Sequence, residues 1–156
     1  MANVRVKWNG AMIKKTADRS IDDALYAGAS FLLKATLPRV PKRTGRLASS
    51  GYAASATKSS YHKGTGRQKR EVRPRHGEGA VAFASMLAHL VEAGARPHTI
   101  KPRRKRFLVF GGRYAKAVQH PGTKGRRFLR KGWRAEKNRV GEIVAKGVKQ
   151  EFDKLP

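Results

Sequence analysis

Long stripes of apolar residues at helical spacing lie at the two ends of this chain, with a basic, glycine-rich middle between them. That distribution constrains the fold more than any single motif. Near the N-terminus Ile13, Ala17, Ile21, Leu25, Gly28, Leu32 and Ala35 recur at threes and fours, the one-sided stripe of an amphipathic helix. The helix is expected over 11–37. Ser20 and Asp23 have the spacing of a capping box, which predicts a start or a kink near 20. Pro38 and Pro41 end it, because proline lacks the amide a helix needs. Near the C-terminus Leu129, Trp133, Val140, Val144, Val148 and Phe152 form one face of a helix expected over 126–153. Leu25, Leu32, Val144 and Val148 are expected to share a core, and Trp8 and Trp133 to be core residues.

The middle carries strand and turn signals. Val4, Val6 and Trp8 alternate with Arg5 and Lys7, the period of a half-buried strand, before Asn9-Gly10 breaks it. Residues 44–57 read as a strand or paired strands. Residues 58–79 are glycine-rich and basic with few aliphatics, which predicts a mobile loop in which Glu71-Val72-Arg73 pairs briefly. Val81 and Phe83 predict another strand. Met86, Leu87, Leu90 and Val91 predict a short helix stopped by Gly94. Residues 99–101 and 107–110 are strand-like around Pro102–Arg106, a basic hairpin over 99–110. Gly111-Gly112 then turns the chain into a strand over 114–118, and Pro121-Gly122 breaks it again. At 156 residues the chain fits one domain, since domains run to about 100–200 residues. The expected class is α+β: a small antiparallel sheet packed with long N- and C-terminal helices, with extended basic loops.

Charge is the dominant number: 36 Lys+Arg against 10 Asp+Glu, a formal +26. Residues 1–38 hold six basic and three acidic side chains, and 138–156 hold four and three. The excess sits in 39–78, with eleven against two, and in 96–137, with fifteen against one. Such a balance implies an anionic partner, either nucleic acid or an acidic protein surface. Three basic groups are the candidates for contact with DNA or a partner: Lys63, Arg67, Lys69, Arg70, Arg73 and Arg75 in the loop; Lys101, Arg103, Arg104, Lys105 and Arg106 in the hairpin; and Lys124, Arg126 and Arg127 at the start of the last helix. A run of cations at a helix N-terminus opposes the helix dipole. The bland reading of the 101–106 run is a solvated turn between two strands, and that of the cations at the last helix is weak selection against them in a screened environment.

Catalytic readings find little support. With no cysteine, disulfides, thiolate metal sites and cysteine nucleophiles are excluded. Between residues 24 and 135 the only acids are Glu71, Glu78 and Glu92, without the paired carboxylates that metal-dependent phosphoryl chemistry uses. His62, His76, His89, His98 and His120 are scattered over loops and element ends. Gly64-Thr65-Gly66 and Gly77-Glu78-Gly79 lack the spacing of a phosphate loop. The reading is of a non-enzymatic chain with no cofactor or metal. Nor is a DNA-reading module present, so DNA contact is expected at phosphates, without sequence preference. No apolar run reaches the length of a membrane span, and the N-terminus does not read as a signal peptide.

Three segments, taken in order, carry a family resemblance. Pro41-Lys-Arg-Thr44-Gly45-Arg-Leu47, with Ser49 and Ser50 behind it, follows the first helix. Leu87 to Ala95 includes Ala88, Val91, Glu92 and Gly94, with Leu87 and Leu90 where the family pattern has aromatics. His120-Pro121-Gly122-Thr123 ends an insertion, and the pair Phe128-Leu129 opens the last helix. Over residues 11–150 this order resembles the siphophage tail-completion family, also described as neck or head-tail joining minor tail proteins. The resemblance implies a virion subunit assembled in the host cytoplasm. It implies a ring of six copies between a head-closure protein and a tail terminator or tail tube protein, with double-stranded DNA passing through the lumen. Glu92, the one acid in an apolar segment, is expected to pair with an arginine, either within the subunit or across to a neighbour. Gly45, Gly94 and Gly122 are expected at positive φ. The main alternative is a non-specific nucleic-acid-binding protein of a non-viral class, ribosome-associated or chromatin-like. A cationic membrane-active protein is a third reading, set against by helix faces sized for a core.

Overall fold

A computed structural model describes residues 10–63, 70–103 and 106–153 of the chain. The strand expected at Val4–Trp8, the core place of Trp8, and the candidates Arg67, Lys69, Arg104 and Lys105 lie outside these residues. Helix α1 spans Gly10–Thr36 and runs into a 3-10 turn at Leu37–Arg39, where Pro38 sits in the first turn. A short helix α2 (Arg46–Ser49) precedes strand β1 (Gly51–Ser55), which pairs antiparallel with β2 (Gly79–Phe83). Helix α3 is Ala88–Ala93. Six short strands follow: β3 (Gly94–Ala95), β4 (His98–Ile100), β5 (Leu108–Phe110), β6 (Arg113–Ala115), β7 (Val118–His120) and β8 (Thr123–Lys124). Helix α4 (Phe128–Phe152) closes the chain. The class is α+β as expected, but the strands form four two-stranded antiparallel ladders instead of one sheet.

Helices α1 and α4 lie side by side and antiparallel: Thr36 faces Gly132, Gly28 faces Val140 and Val144, and Ala24 faces Gly147. The contacts are made by small residues, so the backbones approach closely. A Cβ on Gly28 would stand 2.7 Å from Val144 Cγ2. The other side of α1 carries the β1–β2 hairpin, with Leu33 against Gly51 and Leu25 against Gly79. The main core gathers at the end of this stack. Val40, Phe83, Ala88 and Phe128 are buried there, with Leu33, Leu37, Leu47, Val91 and Leu129 packed around them. Phe83 and Phe128 meet edge to face with centroids 5.1 Å apart, the favoured geometry for aromatic pairs. Leu47, Ala88, Val91, Phe128 and Leu129, read from three separate motifs, thus share one cluster.

Several expectations are corrected. Helix α1 is unbroken at Ser20, whose hydroxyl donates to the Thr16 carbonyl at 2.8 Å inside the helix. Asp23 pairs with Lys58 at 2.8 Å. Asp22 is fully buried, accepting from His76 Nδ1 at 2.6 Å and the Gly77 amide at 3.2 Å. The stretch 44–57 holds one strand, the first of the two readings, but Gly45 at φ 71° turns the chain into the unexpected α2 ahead of it. Glu71-Val72-Arg73 forms no strand; the Val72 amide donates to Tyr52 Oη at 2.7 Å. Trp133 is 49% exposed and Phe152 is exposed. Leu129, Val140 and Val144 of the expected face do pack, on the core and on α1, but in the first turns of α4 the buried places are taken by Phe128 and Gly132, and a glycine is invisible to an apolar pattern.

The basic hairpin over 99–110 is also corrected. Strand β4 pairs with β7, His98 opposite His120 and Ile100 opposite Val118. Strand β5 pairs with β6. The tight turn is Gly111-Gly112, with φ of 54° and 75°. Two consecutive positive φ values suit a two-residue hairpin that follows the twist of its strands; the sequence from Pro102 to Arg106 contains no glycine. The strand expected at 114–118 accordingly splits into β6 and β7.

Candidate functional site

Helix α4 begins without a capping side chain of its own: Arg127 occupies the cap position in the left-handed region, at φ 52°. Its first amides are met instead by α3. The Arg126 and Arg127 amides donate to the carbonyls of Val91 and Glu92 at 2.8 and 3.0 Å. The Glu92 carboxylate takes the amides of Leu129 at 3.0 Å and Arg130 at 3.1 Å. The orphan acceptors that end one helix and the orphan donors that start the next satisfy each other. The negative carboxylate also lies at the positive end of the α4 dipole, offsetting the nearby cations. Glu92 therefore acts within the subunit, as one of the two readings had it, but on backbone amides instead of an arginine. A helix start preceded by Gly-Arg-Arg, with a single acid between residues 79 and 135, was the available signal.

This junction fixes the root of a long β-arm. Gly94 (φ 87°) and Gly122 (φ 85°) turn where the two sides of the arm touch. A Cβ on Gly94 would fall on the Thr123 carbonyl, and one on Gly122 on the Ala95 carbonyl. From there β3–β8, β4–β7 and β5–β6 run outward in succession to the Gly111-Gly112 turn. Strands β4 to β7 pack chiefly on their own partners and not on the helices. The His98 and His120 rings stack with centroids 5.0 Å apart. His98 Nδ1 donates to the Arg96 carbonyl at 2.8 Å, and His120 Nδ1 accepts the Gly122 amide at 3.0 Å. Toward the far end Val109 and Tyr114, opposite each other in register, are 61% and 74% exposed. Residues 94–124 contain nine Lys/Arg and no Asp or Glu.

The basic candidates fall into three places. Lys101, Arg103 and Arg106 are exposed on the arm, with the Arg106 guanidinium 5.8 Å from the Phe107 ring centroid. Lys124 and Arg126, with Lys131, line a cavity of about 540 Å³ beside the α4 start. Lys124 and Arg126 also border a groove of about 790 Å³ at the arm's root, which Pro41 and Val91 help to line. Arg127 is exposed at the cap position. In the loop, Lys63, Arg70 and Arg75 are exposed, while Arg73 Nε donates to Glu71 Oε2 at 3.1 Å. Glu71 is held below the usual glutamate range by the Ser59 hydroxyl first and by Arg73 second. Thr44 and Gly45 sit exposed ahead of α2, and Pro121 and Thr123 flank Gly122 at the arm's root.

No family model, curated protein or solved structure matches the chain.

Among the described residues no three His, Asp or Glu side chains are grouped to hold a metal ion. No described helix is long and apolar enough to cross a membrane. What the surface offers chemically is dense positive charge on an arm with exposed apolar residues, and a partly apolar groove at its root. The sequence did not reveal the groove, because it is assembled from residues 41–43, 87–100 and 120–126.

Proposed function

We propose that the chain is a structural, non-enzymatic subunit of the neck of a long-tailed bacteriophage, one of a ring of six copies that joins the DNA-filled head to the tail. The observation that carries this reading is the arm. An acid-free ribbon from Gly94 to Lys124, whose β4 to β7 strands pack chiefly on each other, exposes Val109, Tyr114, Lys101, Arg103, Arg106 and Arg113 to contacts outside the subunit. In a ring, neighbouring subunits, the head-closure protein, and the tail terminator or tail tube protein would take the apolar contacts. DNA phosphates in the lumen would take the cations. The ordered motifs add support, since their apolar members meet in one core around Phe128.

Like charges gathered around a small lumen repel one another, and salt screens that repulsion over about 10 Å at 0.1 M. The free chain should therefore stay a monomer or small oligomer at low salt, with ring closure needing high salt, DNA or the virion neighbours. The test is genetic: particles assembled without this chain should be filled heads lacking attached tails. Normally tailed, infectious particles would contradict the reading. They would favour a nucleic-acid-binding protein of another class, for which the exposed Trp133 beside Arg134 on a cationic helix is the supporting observation.

A further inference from the structure

Leu87, Leu90 and Ile100 are large aliphatic residues left exposed, Leu87 at 62%. All three line the groove at the root of the arm, together with Arg43, Lys124 and Arg126. Exposed apolar patches rimmed by polar residues mark interaction sites. Here the charge around the patch has one sign, for among the described residues no Asp or Glu lines the groove. Glu92, next in sequence to the lining residue Val91, is turned away onto the Leu129 and Arg130 amides. We propose that this groove docks an acidic amphipathic segment of a different protein. Its apolar side chains would rest on Leu87, Leu90 and Ile100, and its carboxylates would meet Arg43, Lys124 and Arg126.

Charge decides between the occupants. DNA would satisfy the cations but leave the three aliphatic side chains in water. A second copy would have to present an apolar surface without adding positive charge. The arm's exposed pair Val109 and Tyr114 lies among Arg106, Arg113 and Lys116, so seating it here would bring cations together. The exposed Phe152 follows Lys146 and Lys149; of its two acidic neighbours Glu151 is already engaged, which leaves Asp153 alone against two lysines. A foreign segment rich in carboxylates meets both requirements. The inference needs only the groove and stands independently of the neck reading.

The test uses the full chain and a fluorescent helical peptide of about four turns, with Leu at i, i+3, i+4 and i+7 and Glu elsewhere. A scrambled peptide of the same composition and a version with Lys for Glu are the controls. The patterned acidic peptide should bind more tightly than either. Leu87→Asp should weaken it about tenfold or more with an unchanged melting curve, and Lys124→Glu should weaken it as well. Ile100→Ser gives a second reading from the opposite wall should Leu87→Asp fail to fold. Equal binding of patterned and scrambled peptides, or no loss in Leu87→Asp and Ile100→Ser, would mean polyanion binding only and would overturn the proposal. So would sedimentation showing that Leu87→Asp converts an oligomer of the wild type to a monomer, which would assign the groove to a second copy.

Discussion

The carboxylate of Glu92 stands 3.0 Å from the backbone amide of Leu129, thirty-seven residues away, and caps a helix that has no capping side chain of its own. Removing a capping side chain typically costs about 0.5–2 kcal/mol. Glu92→Ala should therefore lose about 1–2 kcal/mol in urea denaturation. Glu142→Ala, at an exposed site on the same helix, should change stability by no more than about 0.5 kcal/mol. Equal effects of the two would show that the cap is not a source of stability.

Gly132 and Gly141 lie on the same helix and should respond oppositely to alanine. A Cβ at Gly132 would fall on Thr36 Oγ1 and come within 3.2 Å of Thr36 Cβ. Thr36 is stiff and fully buried, so Gly132→Ala should cost about 1–3 kcal/mol by overpacking. At Gly141 nothing lies within 4 Å, and Gly141→Ala should gain up to about 1 kcal/mol of helix propensity. Among the described residues the Thr36 hydroxyl has no hydrogen-bond partner. Thr36→Ala should consequently rescue much of the Gly132→Ala loss, a non-additive cycle read by thermal melts.

The two long helices, the α+β class, the short helix before Gly94 and the positive φ of Gly45, Gly94 and Gly122 were legible in the sequence. Each depends on local periodicity or local backbone freedom. The place of Trp133 was not, because the residue that packs on Thr36 is a glycine and its bulky neighbour took its place in the pattern. Partner choice was not legible either: Ile100 lies closer in sequence to Leu108 but pairs with Val118. The same is true of Glu92, whose amide partners carry no side-chain signal. At the candidate site, the basic residues could be named from composition, but the groove depends on three distant segments meeting.

The Ser59 hydroxyl and Arg73 hold the Glu71 carboxyl below its ordinary range. A carboxyl depressed in the folded state adds stability above its unfolded value, and that stability is lost as pH falls through the folded value. An NMR titration should find Glu71 ionising below a reference glutamate. Ser59→Ala should shift it upward, because the first of its two partners is gone. No upward shift in that variant would contradict the assigned cause.

If the arm is built to serve a partner, the domain should fold without its outer part. Replacing 101–117 by Asn-Gly would join Ile100 to Val118, already opposite each other, through a favoured two-residue turn. Stability should change by no more than about 1 kcal/mol, or ~2–4 °C for a chain of this size. Failure to fold would show that the arm belongs to the core.

Contacts between the arm and DNA phosphates release counterions, so binding should be indifferent to sequence and fall steeply with salt. Changing Arg103, Arg106 and Arg113 to Gln should flatten the salt dependence by about 0.9 for each phosphate contact removed. An unchanged slope would remove the arm from the DNA-contacting surface.

The central claim is a position in a particle, and electron microscopy of intact virions tests it most directly. A map of the head-tail junction should contain a closed ring of this chain, its α1–α4 pairs side by side and the Gly94–Lys124 arms reaching neighbouring subunits or the DNA channel. A junction whose density is fully accounted for by other proteins would contradict the account.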